Sequence, residues 1–208
     1  MTVCETRSIH AKAADRGADE PIGKRLPRSF YARSTLRVAR ELLGKVLTLE
    51  GSGWTKAARI VEVEAYLGGR DPASHAYHGL TPRTAPMFGP PGRSYVYFVY
   101  GMYHCLNVVT EREGIAGAVL LRGAEPVAGF DDLAPRALAG PGKLARSFGL
   151  TTAHTNLDLV ESTLSIHDAP AVPPSRVMRS VRIGLREHAT TTKPWRLYVR
   201  GSPGVSRS

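Results

Sequence analysis

The run Glu62-Val63-Glu64-Ala65-Tyr66 is followed by His75 and then by Tyr95-Val96-Tyr97-Phe98-Val99-Tyr100-Gly101-Met102-Tyr103. Carboxylates, an imidazole and several phenols therefore crowd one stretch of a strongly basic chain. Aromatic faces stack on nucleobases without demanding a sequence. A carboxylate among them repels phosphate, so it needs some other reason to be there. Chemistry on a base drawn out of its stack supplies one, with the acid taking a proton as general base.

Those residues must be positioned by strands and a loop. Residues 57–67 alternate as a strand, with Val61, Val63 and Ala65 on one face. Glu62, Glu64 and Tyr66 share the other face with Ile60, so acid and ring project the same way. A half-buried strand with a polar outer face would show the same pattern, and this strand alone favours that plainer reading. Residues 68–92 carry Pro82, Pro86, Pro90 and Pro91 and read as a long irregular loop, a place where function gathers. Residues 94–100 form a strong strand, Gly101-Met102 a hairpin turn, and residues 104–110 the returning partner.

Around this centre the remaining pattern is ordinary. Residues 34–43 predict a helix, capped by Ser34, with a stripe of Leu36, Ala39, Leu42 and Leu43 and with Gly44 at its C′ position. Residues 45–50 predict a strand that turns at Gly51-Ser52-Gly53. Residues 117–122 predict another strand. Residues 131–150 contain a second helix, with Pro141 in its first turn and Gly149 near its end. Residues 181–185 and 195–200 predict two last strands. The expected class is α+β, a single domain with a curved, mainly antiparallel sheet and a few surrounding helices. Residues 1–28 carry few large apolar groups and are expected to form a mobile tail, leaving residues 29–205 as the working domain.

Composition narrows the partners. The chain has 208 residues, 42% apolar and 22% charged, which suits one soluble domain with a proper core. No apolar run approaches the ~20 residues that cross a bilayer, and the N-terminus lacks a signal-peptide core. A cytoplasmic, nucleoid-associated protein without membrane contact is expected. Net charge is +10, and beyond Pro170 eight bases (Arg176, Arg179, Arg182, Arg186, Lys193, Arg196, Arg200, Arg207) face one acid, Glu187. That asymmetry points to a polyanion, nucleic acid before anionic lipid. Two cysteines, Cys4 and Cys105, exclude a cysteine-based metal site by count. Cys105 reads as a small buried hydrophobe.

Several familiar sites are missing. Gly140-Pro141-Gly142-Lys143 lacks the spacing of a phosphate loop, though a helix N-terminus there could meet a DNA phosphate. His75 and His78 have metal-ligand spacing but no completing cluster, so no metal and no cofactor are expected. No Gly-x-Ser-x-Gly elbow supports a serine nucleophile. Among the tyrosines, Tyr95 and Tyr103 read as core residues. For Tyr97 and Tyr100 the local pattern does not choose between core and site. Tyr100, next to the turn, could wedge into a duplex.

Taken together, Arg59-Ile60-Val61-Glu62-Val63-Glu64-Ala65-Tyr66-Leu67-Gly68, Ala73-Ser74-His75, Thr81-Pro82-Arg83, Tyr95-Val96-Tyr97 with Tyr100-Gly101-Met102-Tyr103, Leu120-Leu121-Arg122 with Glu125-Pro126, Gly140-Pro141-Gly142-Lys143-Leu144 and Arg200-Gly201-Ser202-Pro203 resemble, in order and spacing, the alkyladenine (3-methyladenine) DNA glycosylase family. The likeness runs from about Phe30 to Gly204. It implies that Glu64 activates water and that Arg122 helps hold both. It implies a base pocket of Tyr66, His75, Met87, Tyr97, Asn107 and Leu185, the last through its backbone carbonyl. Tyr100 would fill the gap left in the duplex. Asn107 would bar the amino group of normal guanine, two facing donors leaving each other unsatisfied. Lys143, Arg182 and Arg200 are expected to hold phosphates without reading sequence. The segments 126–139 and 186–192 depart from the family pattern.

The resemblance implies a monofunctional glycosylase of base excision repair, acting on double-stranded DNA that holds alkylated or deaminated purines, since no lysine stands at the nucleophile position. A monomer is expected. Two other readings stay open at this point. One is a non-catalytic binder of distorted DNA using the same wedge. The other is a nucleoside hydrolase, which would need neither Tyr100 nor the basic C-terminal segment.

Overall fold

Strand β2, Trp54–Tyr66, is the thirteen-residue spine on which the other elements are arranged. The computed structural model describes residues 22–130, 133–134, 136–185 and 190–206. Cys4, Arg186 and Arg207 lie outside the described residues, as does most of the segment expected to be a tail. Within residues 22–28 of that segment, Leu26 is buried and its N–H donates to the Ile166 carbonyl at 2.8 Å.

The strands are β1 (Val46–Gly51), β2, β3 (Ser94–Val99), β4 (Tyr103–Val109), β5 (Ala118–Ala128), β6 (Leu164–His167), β7 (Val177–Ser180) and β8 (Arg196–Val199). They form one sheet in the order β3-β4-β5-β2-β1-β6, and β8 joins β2 and carries β7. Every pairing is antiparallel. The sheet curls into a half-barrel, and the α+β single-domain class expected from sequence is the class observed. Among the described residues the helices are α1 (Arg28–Tyr31), α2 (Thr35–Leu42) and α3 (Pro141–Phe148), none long and apolar enough to cross a membrane.

Period-two alternation sorts the strands into two faces. One face carries Val63, Ala65, Leu106, Val108, Val119 and Leu121, which join α2 residues Val38, Ala39 and Leu42 and α3 residues Leu144, Ala145 and Phe148 in the main core. The other face is left to the site. The stripe of α2 differs from the one expected: Thr35, Val38, Ala39 and Leu42 are buried, whereas Leu36 is exposed. Its three- and four-residue spacing runs from Thr35, not Leu36. Ser34 makes no side-chain cap. The Glu111 carboxylate takes its place, accepting from the Thr35 N–H and hydroxyl at 2.9 Å each. An anion there also suits the positive end of the helix. Pro141 and the left-handed Gly149 bound α3 as expected.

Where β2 meets its neighbours, the ladder breaks. Its residues 54–59 pair with β1, and its residues 62–64 pair with β8 on the same edge. On the opposite edge the register with β5 shifts between Ile60, Glu62 and Val63. Such irregularities re-aim side chains and recur beside active sites. Arg122 of β5 falls in this break, and its carbonyl accepts from Gly140 N–H at 2.9 Å, which leads the chain into α3. Strand β6 has no counterpart among the sequence expectations, being only four residues long. Residues 181–185 are not a strand; the pairing strand is Val177–Ser180.

Candidate active site

The site face holds Tyr66 from β2, Tyr95, Tyr97 and Val99 from β3, Cys105 and Asn107 from β4, and Ala118, Leu120 and Arg122 from β5. These residues bound a cavity of about 320 Å³, closed on its sides by His75, Met87, Pro141 and the segment Ile183-Gly184-Leu185. A planar heterocycle fits such a space, and the walls are aromatic and apolar with a few polar groups, the make-up of a ligand pocket.

Glu64 lies directly behind this cavity, fully buried. Three groups that line the cavity hold it. The Tyr66 hydroxyl donates to Oε2 at 2.8 Å, the Ile183 N–H donates to Oε1 at 2.8 Å, and an Arg122 guanidinium nitrogen stands 3.4 Å from Oε1. Burial raises the Glu64 pKa above the ordinary carboxylate value. Arg122, the Ile183 N–H and Tyr66 pull it back, and Glu62 pushes it up again. The outcome is a carboxylate that gains more from taking a proton than an exposed one does.

Glu62 is also fully buried, which overturns the exposed polar face that this strand alone favoured. It accepts from Arg122 Nε at 3.2 Å and from Arg196 Nε at 2.7 Å. Burial opposes the Arg122 charge, but the two carboxylates outweigh it and raise its pKa.

The walls are equally determined. Burial, and then the Cys105 thiol beside it, raises the Tyr97 pKa, so its ring stays neutral. Cys105 is buried, as expected, but it also lines the cavity. Behind Tyr66 the Arg182 guanidinium sits 4.6 Å from the ring centroid, and 5.1 Å from that of Trp195. His75 meets the Tyr97 ring edge-on at 4.6 Å, and its Nδ1 is 3.1 Å from the Tyr95 hydroxyl. Loss of water around the ring, aided by the Arg83 cation, lowers its pKa to about 4. The imidazole is therefore neutral at pH 7. Arg83 can only donate, and it stands 3.4 Å from Nε2, which places the His75 proton on Nδ1, towards Tyr95.

Most site expectations converge here: Glu64, Arg122, Tyr66, His75, Met87, Tyr97, Asn107 and Leu185 all lie at or immediately behind one cavity. Tyr100, at the β3–β4 tip, lines the mouth of the same cavity while remaining 78% exposed. The turn centres on Tyr100 and Gly101, with φ of 54° and 66°, one residue earlier than the sequence suggested. Tyr103 is not a core residue. It is half-exposed, and its ring lies so close to Gly142 that a Cβ there would sit 2.8 Å from it. Tyr95 is buried but lines the cavity, so core and site share it.

One expectation about phosphate needs correcting. Arg182 is buried and bound at both terminal nitrogens to Asp71, at 2.6 and 2.8 Å, so it cannot reach DNA. Arg200 is exposed, yet the β8 register carries it away from Tyr66, and its guanidinium rests on Met178 Sδ. Lys143 is exposed on α3, whose Pro141 lines the cavity. Asn107 also differs from expectation. Its amide nitrogen donates to the carbonyls of Tyr95 and Cys105, at 3.0 and 3.4 Å, so its hydrogens are not aimed at a base.

Sequence reasoning missed Glu62, Arg196, Asp71 and the Ile183 N–H. Glu62 carried a signal, since it shares a strand face with Glu64. A backbone N–H carries none. The segment 181–185 leaves the sheet because Arg182 turns inward to Asp71 while Ile183 spends its N–H on Glu64.

A half-barrel that sets a basic carboxylate behind an aromatic slot, with an exposed ring at a hairpin tip beside it, defines a hydrolase acting on a base turned out of a nucleic-acid duplex. Residues 29–203 match the methylpurine-DNA glycosylase family, and the chain belongs to it. A relative from Myxococcus xanthus (strain DK1622), named as a 3-methyladenine DNA glycosylase, is 50% identical over 184 residues, 88% of this chain and 93% of the relative. One of the same name from Anaeromyxobacter dehalogenans (strain 2CP-1) is 51% identical over 187 residues, covering 88% and 86%. A third, from Methanocella arvoryzae, is 45% identical over 194 residues, covering 88% and 96%. The chain is thus a monofunctional DNA glycosylase of base excision repair, a hydrolase of the N-glycosidic bond, and DNA is its partner.

Proposed function

We propose that the chain releases 3-methyladenine and related alkylated or deaminated purines, with Glu64 as the general base. The observation that carries this reading is the buried Glu64 carboxylate, bonded to Tyr66, Ile183 and Arg122, all of which line the base-sized cavity. Oε1 is fixed by Ile183 and Arg122. Oε2, held by the cavity-lining Tyr66 hydroxyl, takes the proton of the attacking water.

The water oxygen bonds to the anomeric carbon, and the N-glycosidic electron pair leaves with the purine. An N3- or N7-alkylated purine carries positive charge and departs neutral, whereas a neutral deaminated purine departs as an anion and takes a proton from solvent. The remaining Glu64 charge stabilises the sugar cation that develops on the way. Tyr66 and Tyr97 stack on the everted base, adding ~1–3 kcal/mol per ring. Neutral His75 forms part of the pocket wall against Tyr97 without adding a cation to a site that accepts cationic purines. Asn107 excludes guanine by bulk: two backbone bonds prevent its amide from retreating before a 2-amino group. Tyr100 fills the vacated stack, Lys143 holds a phosphate near the cavity mouth, and the protein works as a monomer near the nucleoid.

Single-turnover release of free base from duplexes carrying 3-methyladenine, 7-methylguanine, hypoxanthine or ethenoadenine tests the reading. Glu64→Gln is expected to bind the lesion duplex and release nothing. Base release that survives this substitution would overturn the assignment. Release from free nucleosides at high salt would favour the nucleoside-hydrolase reading instead.

A further inference from the structure

Glu62 lies outside the reaction just described, yet it is more heavily bonded than Glu64, its neighbour on the same strand face. Its Oε1 accepts from Arg122 Nε at 3.2 Å, Arg196 Nε at 2.7 Å and the Ser206 hydroxyl at 2.9 Å. Its Oε2 accepts from the Ser206 N–H at 2.6 Å. The Ser206 hydroxyl in turn lies 3.4 Å from a terminal nitrogen of Arg122. The chain reaches Glu62 as a strap, residues 202–206, that crosses β5 at its register break. The crossing demands glycine on both sides. A Cβ on Gly123 would collide with the Gly204 carbonyl and approach Glu62 Oε2, and a Cβ on Gly204 would collide with the Ala124 carbonyl. Arg136 ties the strap down by donating to the Val205 and Ser206 carbonyls at 2.9 and 3.2 Å.

Arg122 is thereby shared between two buried carboxylates. Its Nε points at Glu62, and a terminal nitrogen points at Glu64 from slightly farther away. A guanidinium is a rigid planar fork, so fixing one edge fixes the other. We propose that Glu62 is a positioning residue of the glycosylase reaction: together with Ser206 of the C-terminal strap it sets the plane of Arg122 and draws part of its charge away from Glu64. The inference rests on Glu64 being the general base. An arginine serving Glu64 alone would neutralise it and make it a poor proton acceptor. Divided between two acids, Arg122 orients Glu64 while leaving it basic.

The titratable and charged groups that act on Glu64 come from each packed element. They are Glu62 and Tyr66 on β2, Tyr97 on β3, Cys105 on β4 and Arg122 on β5. Arg196 on β8 faces Glu62, and Arg182 lies behind Tyr66. Of these, Glu62 is the only carboxylate, so its removal has a definite sign. Glu62→Gln keeps an acceptor for Arg122, deletes the like charge and leaves Arg122 to Glu64.

The test is the pH profile of single-turnover base release on a lesion duplex, with the full chain. In Glu62→Gln the acid limb is expected to move to lower pH, and the plateau to fall about three- to tenfold, as a weaker base acts more slowly. A limb that stays in place, whatever happens to thermal stability, overturns the proposal, because a purely structural Glu62 would alter stability alone. Should Glu62→Gln not fold, Ser206→Ala serves. It deletes one bond to Glu62 and is expected to slow release by about threefold at unchanged duplex affinity; an unaltered rate would again overturn the proposal. Glu64→Gln, run alongside, separates the two ideas. Activity retained there sinks the general-base reading itself, whereas activity lost there with an unmoved Glu62→Gln profile sinks only the positioning role.

Discussion

The centre of β2 and the tip of the β3–β4 hairpin are both short, functional stretches of one sheet, and their physics is opposite. At the centre, Glu62, Glu64, Arg122 and Arg196 are charged and almost wholly buried, each in contact with an opposite charge. At the tip, Phe98, Tyr100 and Met102 are apolar or aromatic and exposed. Burying charge costs desolvation even when every ion is paired, and more when one is not, and exposing a large ring forfeits the stability its burial would provide. Each region accepts its own penalty for a separate task. Proton transfer needs a fixed, dry, basic carboxylate. Entry into a base stack needs an apolar ring surface offered to the outside, one that sheds its water at little cost.

Substitutions divide the two regions by the step they affect. Glu64→Gln should produce the largest loss, about 10²–10⁴ in the rate of base release, with lesion binding retained in a gel-shift or anisotropy measurement. Comparable losses of binding and rate would mean that the centre also grips DNA. Next come the walls. Tyr97→Ala should weaken capture of the everted base by about 1–3 kcal/mol. Tyr66→Ala should cost more, because it also deletes the hydroxyl that donates to Glu64. Equal effects of the two would detach Tyr66 from the acid.

The pH dependence comes third. Glu64 acts only when ionised, and its pKa lies above the ordinary 4.5. Release should therefore fall as pH drops through a limb above that value. Tyr66→Phe should push the limb further up, since the lost hydroxyl favours the charged form. The smallest effect belongs to the tip. Tyr100 has φ of 54°, a left-handed backbone that disfavours a side chain. Tyr100→Gly should raise stability by up to about 1 kcal/mol in a denaturant melt while slowing release. A fall in stability would show that the ring is packed in the free protein after all.

The contrast also explains what could be read in advance. That Glu64 and Tyr66 share a face was legible because they sit two apart in a strand, and period two is insensitive to small errors in strand ends; their roles, and that of His75, came from the family resemblance. The fate of the arginines was not legible. Arg182 and Arg200 belong to one basic run, yet Arg182 is buried behind Tyr66 and paired with Asp71, while Arg200 stays exposed just beyond β8. Charge counts locate a polyanion-binding face only when the side chains remain on the surface. The turn at Tyr100 was displaced by one residue because glycine marks a turn without stating which of its positions it fills.

By itself the amino-acid sequence determined the alternation that puts acid and phenol on one face, the basic excess that selects DNA, and the glycines and prolines that end α3. Those features are local, and local chemistry specifies them. Only the tertiary structure decided that β2 exchanges β1 for β8 beside a register break, bringing Arg122, the Ile183 N–H and the C-terminal strap around two buried carboxylates. Those partners lie more than fifty residues away in the chain, and buried charges find their counter-ions through the fold that encloses them.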